Sequence, residues 1–160
     1  MIKSKVRKQK AKVYLAFALS LVLAACAPSS GEPKPPEIAY GRDICDACGM
    51  IISEARFAAA TLTTDGKTLK FDDAGEMFNY HAKHPELSVR VWFVHDYNSQ
   101  QWINGQAAFY VMAKEIKSPM GTGVAAFSDK ASADAFANRY GVKALTFDEI
   151  RAAKPMMGGH

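Results

Sequence analysis

Phe57–His81 reads FAAATLTTDGKTLKFDDAGEMFNYH, and it decides the fold class. Two short apolar runs, Phe57–Thr64 and Thr68–Phe71, flank Asp65-Gly66-Lys67. Asp-Gly between two such runs is a hairpin signal, because the turn needs residues that tolerate positive φ. Asp73-Ala74-Gly75-Glu76 then has capping-box spacing. Ala74, Met77, Phe78 and His81 fall at i, i+3, i+4 and i+7, the spacing of one helical face. Pro85 ends that helix, and Val89–Val94 (VRVWFV) is too rich in branched and aromatic residues to be anything but a strand.

The second half repeats the theme. Ala107–Met112 and Val124–Phe127 read as strands. Ser128 is placed to cap a helix carrying Ala133, Phe136, Ala137 and Tyr140 on one face, Ala144–Phe147 reads as a short strand, and Thr146-Phe147-Asp148-Glu149 opens a last helix to about Lys154. Phe71-Asp72-Asp73 and Phe127-Ser128-Asp129 align at an offset of 56, and the two helical faces at 59. The expected fold is α+β: two related ββαβ units forming one small domain.

That domain follows a targeting segment and a tether. Six basic residues between Lys3 and Lys12 precede an apolar run, Val13–Ala24, that is short for a membrane span. The run ends in Leu23-Ala24-Ala25-Cys26, which resembles the bacterial lipobox, so residues 1–25 are expected to be removed and Cys26 lipidated, anchoring the chain on the extracytoplasmic side of a membrane. Residues 1–25 hold six of the 20 Lys and Arg and none of the 16 Asp and Glu. The remainder therefore has 14 basic against 16 acidic residues, a formal charge of −2, and the sequence pI near 8.9 belongs largely to the discarded segment. A basic face for nucleic acid is not expected. Residues 26–37 carry four of the seven prolines and read as a flexible linker. Residues 38–155 make the domain, and 156–160 a tail of Met, Gly and His.

The chemistry concentrates in Asp43-Ile44-Cys45-Asp46-Ala47-Cys48-Gly49-Met50. Two thiols and a thioether lie within six positions, a donor mixture that selects Cu(I) over harder ions. Other readings remain open. Structural zinc needs four Cys or His ligands, and His81, His84, His95 and His160 show no paired spacing. A thioredoxin-like redox pair needs a helix start after a strand and a lowered pKa. A Cys45–Cys48 disulfide suits an oxidising compartment but closes little chain. Of the seven methionines, Met77 and Met112 fit core positions, Met156 and Met157 fall in the tail, and Met120 stands apart in Ser118-Pro119-Met120-Gly121-Thr122-Gly123, a turn without periodicity to bury it. Cys45, Cys48, Met50 and Met120 are the candidate metal ligands, with Asp72, Met77, His95 and His160 as possible additions. His81 is expected as a packed, hydrogen-bonded ring and His84 at a helix end. Catalytic signatures are missing: there is no Ser-His-Asp order, phosphate-cradling Gly loop or H-E-x-x-H helix, so an enzyme is not expected.

Taken together, the lipobox, Asp43-x-Cys45-x-x-Cys48-Gly49-Met50, Phe71-Asp72-Asp73, His95-Asp96-Tyr97, Trp102-Ile103, Tyr110-Val111 and Pro119-Met120-Gly121 resemble the NosL family. The resemblance implies a lipid-anchored, periplasmic metallochaperone of two ββαβ units. It would deliver Cu(I) for the copper–sulfide centre of nitrous oxide reductase, with the reductase apoprotein and other copper-assembly proteins as partners. The ligands it implies are Cys45, Cys48, Met50 and Met120. The chain departs from the family pattern at Glu76, where many relatives carry a cysteine. That departure removes one candidate thiol, puts in doubt a role for the helix start in binding copper, and leaves more of the burden to Cys45–Met50. The rival readings are an extracytoplasmic thiol-disulfide protein and a passive envelope lipoprotein with a Cys45–Cys48 disulfide.

Overall fold

The computed structural model describes residues 32–153. The segment expected as a signal peptide, the expected lipidation site Cys26 and the tail from residue 156 lie outside the described residues. Within the unit Lys34–His160, the strands are β1 (Ala59–Thr63), β2 (Thr68–Phe71), β3 (Val89–His95), β4 (Trp102–Asn104), β5 (Phe109–Met112) and β6 (Val124–Phe127). The helices are α1 (Ala74–Lys83), α2 (Lys130–Asn138) and α3 (Phe147–Ala153). The strands form two antiparallel sheets, one ordered β2-β1-β3-β4 and one pairing β5 with β6.

The hairpin forms as read. Gly66 takes φ 87° at the turn, where a side chain would be strained, and the Thr63 hydroxyl donates to the Asp65 carboxylate. Registers such as Ala60↔Lys70 and Ala60↔Phe93 then place β1 at the centre of the first sheet, between β2 and β3. β2 is left as an edge whose outer backbone groups need another partner.

The small second sheet is the middle layer, and strand alternation explains why. On β5 and β6, Tyr110, Val124 and Ala126 join the core that holds Phe71, Met77, Phe78, Trp92, Phe147 and Ile150. Their neighbours Val111, Ala125 and Phe127 join a second core with Ala133, Phe136 and Ala137 of α2. Successive side chains point to opposite faces, so one two-stranded sheet seals α1 and α3 on one side and α2 on the other.

Four local expectations change. The strand expected at Ala144–Phe147 is a single bridge, Tyr110↔Leu145. The Thr146–Glu149 capping box already closes there: Thr146 N–H donates to Glu149 Oε2 at 2.8 Å and Glu149 N–H to Thr146 Oγ1 at 3.4 Å, which commits Phe147 to α3. The cap of α2 is Asp129, not Ser128, because Ser128 N–H and Oγ both donate to the Asp96 carboxylate at 2.9 and 3.1 Å. β4 is an additional strand, too short to show a pattern and held by pairing with β3. Finally, the box at Asp73–Glu76 is one-sided. Asp73 caps α1 by accepting from Gly75 N and Glu76 N, but the Glu76 side chain turns elsewhere.

Candidate metal centre

The loop before β1 is a small hairpin of its own. Ile44 and Ile51 form an isolated bridge. Inside it, Cys45 N–H donates to Met50 O at 2.8 Å and Gly49 N–H to Cys45 O at 3.0 Å. Gly49 sits at φ 73°, the left-handed region that lets four residues reverse direction. The loop fills the vacant edge of β2. Asp46 N–H donates to Lys70 O at 2.8 Å, Lys70 N–H returns to Asp46 Oδ2 at 2.7 Å, and Lys70 Nζ pairs with Asp43 Oδ2 at 2.7 Å. A sheet edge that would otherwise be open thus holds the two cysteines in place.

Cys45 is buried among the core residues and Cys48 is half-buried above it. The third member is Glu76, 2% exposed, whose Oε2 accepts from Cys45 Sγ at 3.0 Å. The ligand atoms of Cys45, Cys48 and Glu76 all lie within 4.8 Å of one another. The start of α1, whose role the missing cysteine puts in doubt, places a metal-capable oxygen rather than a sulfur beside both thiols. The reading of Glu76 as a capping-box partner failed for a physical reason. The box joins a hydroxyl to a carboxylate, whereas here the cap is itself a carboxylate, and Asp73 and Asp72 repel a second negative charge at Glu76.

Each group is held towards its protonated form. Burial pushes the Cys45 thiol up to about 12, and the Glu76 carboxylate beside it adds to that rise. Burial also raises Cys48, partly offset by the Met50 N–H facing its sulfur. Burial likewise raises Glu76, with Asp73 and Asp72 adding to the effect. A redox-active pair needs the opposite, a stabilised thiolate, so the geometry does not favour the thiol-disulfide reading. Cys45 and Cys48 stand as free thiols. Three acids that shed protons to a cation, two of them sulfur, form a donor set suited to a soft metal. Structural zinc normally wants four protein ligands, and three residues gather among the described Cys, His, Asp and Glu.

The remaining candidates are placed as follows. The Met50 backbone closes the loop around both cysteines while its side chain is 48% exposed. Met120 is 6% exposed rather than surface-borne, and its N–H donates to Asp73 Oδ2 at 3.3 Å. Met77 is fully buried core. Asp72 Oδ1 accepts from Ser53 N–H at 2.9 Å, and its own N–H faces the Cys45 sulfur. His95 lies outside the Cys–Cys–Glu group: Nδ1–H donates to Ala58 O at 2.9 Å, which leaves Nε2 to accept from Tyr40 OH at 3.2 Å. His81 packs as expected, with Nε2 3.0 Å from Thr61 Oγ1, and His84 ends α1.

The surface around the group is unusual in two ways. The large hydrophobics exposed among the described residues are Tyr40, Ile44, Met50 and Ile51, all within this loop. A cavity of about 160 Å³, lined by Ala47, Glu76, Asn79, Tyr80, Lys83 and His84, reaches Glu76 along the face of α1.

Residues 38–155 match the model of the NosL family. The chain is 28% identical over 152 residues to the copper-binding lipoprotein NosL of Stutzerimonas stutzeri, covering 87% of this chain and 79% of that protein. It superposes on the crystal structure of the copper chaperone NosL from Shewanella denitrificans with a TM-score of 0.63 and 27% identity, covering 74% of this chain and 96% of that one.

Proposed function

The chain belongs to the NosL family, and from that premise we propose that it is a membrane-anchored Cu(I) metallochaperone serving assembly of the copper–sulfide centre of nitrous oxide reductase. The observation that carries the reading is the buried Cys45–Cys48–Glu76 group, with its ligand atoms within 4.8 Å. The relatives' names, a copper-binding lipoprotein and a copper chaperone, support both the cargo and the anchor. Copper is the cargo here. The two thiolates supply the soft donors that prefer the monovalent ion, Glu76 adds an oxygen, and the thioethers of Met50 and Met120 complete the set. Cys26 carries the lipid and holds the domain on the periplasmic side. The apolar rim of Tyr40, Ile44, Met50 and Ile51 suits a site that must be covered by an acceptor while the ion changes hands. Partners are the reductase apoprotein and other copper-assembly proteins.

The test is competition under reducing conditions against a Cu(I) chelator, with Zn(II) and Cu(II) as rivals. The expected result is about one Cu(I) per chain, held more tightly than either rival, and loss of most of that affinity in a Cys45→Ala, Cys48→Ala double variant. Equal affinity for Zn(II) would replace this reading with a structural zinc site.

A further inference from the structure

We infer that Asp73 is a positioning residue of the metal site: its one carboxylate fixes Glu76 and the Met120 turn relative to each other. The inference rests on the Cu(I) reading and assigns a residue that reading does not use.

Asp73 is fully buried, and each of its oxygens has work to do. Oδ1 accepts from Gly75 N–H at 2.7 Å and Glu76 N–H at 3.3 Å, which is ordinary helix capping. A cap needs nothing more. Yet Oδ1 also accepts from Thr122 Oγ1 at 2.5 Å, and Oδ2 accepts from Met120 N–H at 3.3 Å. These two bonds run to a turn some 47 to 49 positions away in sequence. The cap of α1 and the anchor of the Met120 turn are the same group.

The turn is built to be held there. Gly121 N–H donates to Ser118 O at 2.9 Å and Gly123 N–H to Ser118 Oγ at 3.0 Å, so the segment is closed on itself and moves as a unit. It is pressed against the first turn of α1: a Cβ at Gly75 would lie 2.3 Å from Thr122 Oγ1. Asp73 caps the turn from which Glu76 projects, and its Oδ1 accepts from Glu76 N–H itself at 3.3 Å. The carboxylate that pins Met120 is therefore bonded to the backbone of the residue that reaches Cys45. Two buried hydrogen bonds to one carboxylate hold the turn, and they give a neutral, individually weak thioether a fixed address. Preorganisation of this sort raises affinity by removing the cost of ordering the ligand.

Thr122→Val tests this directly. It keeps the shape and removes the hydroxyl that ties the turn to Asp73. Cu(I) affinity is read by chelator competition in four proteins: wild type, Thr122→Val, Met120→Ala and the double variant, each checked for fold by circular dichroism. Thr122→Val should weaken Cu(I) binding about three- to tenfold in the wild-type background and less than about twofold once Met120 is gone, because the hydrogen bond acts through the thioether. Asp73→Asn is the second variant. Its amide oxygen still caps α1, but its NH₂ now faces the Met120 N–H, so the same coupling to Met120→Ala is expected. Equal losses in both backgrounds would overturn the inference and make Asp73 a structural cap only. So would an unchanged affinity for Met120→Ala or Thr122→Val while the Cys45→Ala, Cys48→Ala variant still loses copper; in that case the copper reading stands without the positioning role. Absence of Cu(I) binding in the wild type would instead remove the copper reading itself.

Discussion

Glu76→Gln separates the two duties a buried carboxylate can have. In the metal-free protein, Glu76 does little for stability. It is buried, accepts from Cys45 Sγ at 3.0 Å and also faces the Cys48 thiol, and burial, with Asp73 and Asp72 nearby, raises its pKa. Glutamine keeps the shape, and its carbonyl oxygen still accepts from the thiol. A favourable interaction of a first-turn carboxylate with the helix dipole is lost, worth about 0.3–1 kcal/mol, while repulsion from Asp72 and Asp73 disappears. Apoprotein stability should therefore change by less than about 1 kcal/mol in either direction. Copper binding should respond differently. A monovalent cation about 4 Å from a carboxylate gains roughly 4 kcal/mol at an effective dielectric of about 20. Part of that is offset because burial raises the Glu76 pKa and so disfavours the charged form that binds the ion. A net loss of about 1.4–2.8 kcal/mol is expected on substitution, a tenfold to hundredfold weakening of Cu(I). The assay is chelator competition paired with urea unfolding of the apoprotein. Unchanged Cu(I) affinity would refute the assignment of Glu76 to the site, and a large fall in apoprotein stability would recast it as structural.

Further outcomes follow from packing, titration and anchoring. Gly75→Ala should gain about 1 kcal/mol of helix propensity but drive a methyl to 2.3 Å from Thr122 Oγ1; overpacking costs about 1–3 kcal/mol, so a net loss of up to about 2 kcal/mol is expected in urea unfolding, and a more stable variant would contradict the tight approach of the turn. Burial lowers the pKa of His81 from 6.5 to about 4, so below pH 6.5 the unfolded chain takes up a proton that the folded chain refuses. Its contribution to stability is complete above pH 6.5 and fades as pH falls towards about 4, by up to about 3 kcal/mol. His81→Phe should flatten that limb of the stability–pH profile, and an unaltered profile would show that His81 is not its source. Cys26→Ala should abolish lipid labelling and membrane recovery, whereas unchanged labelling would refute the lipobox.

The parts of the fold legible in the sequence are those decided locally. Asp65-Gly66 marks the hairpin, and Thr68–Phe71 and Val124–Phe127 are strands with the bounds read from composition. The periodic face of Met77, Phe78 and His81 is the buried face of α1. What was not legible is decided by partners distant in sequence. β4 exists because β3 offers it a ladder. Ser128 yields the cap of α2 to Asp129 because Asp96, on another segment, takes the Ser128 N–H and hydroxyl. The site divides in the same way. Cys-x-x-Cys announces itself by spacing, but Glu76 looks like a helix cap until Cys45 is seen 3.0 Å away. Burial of Met120 likewise depends on Asp73 and Thr122 rather than on any pattern around it. A signal was present in hindsight: a charged cap followed three residues on by a second carboxylate is a poor capping box, so Glu76 was free for other chemistry.

X-ray absorption at the copper edge of the reduced, Cu(I)-loaded protein tests the central claim most directly. The expected spectrum is that of monovalent copper with at least two sulfur neighbours at thiolate distance and a lighter oxygen scatterer, the sulfur signal collapsing in the Cys45→Ala, Cys48→Ala variant and the oxygen signal falling in Glu76→Gln. A first shell made only of nitrogen and oxygen, or one unaltered by loss of both cysteines, would contradict a Cu(I) site at Cys45, Cys48 and Glu76.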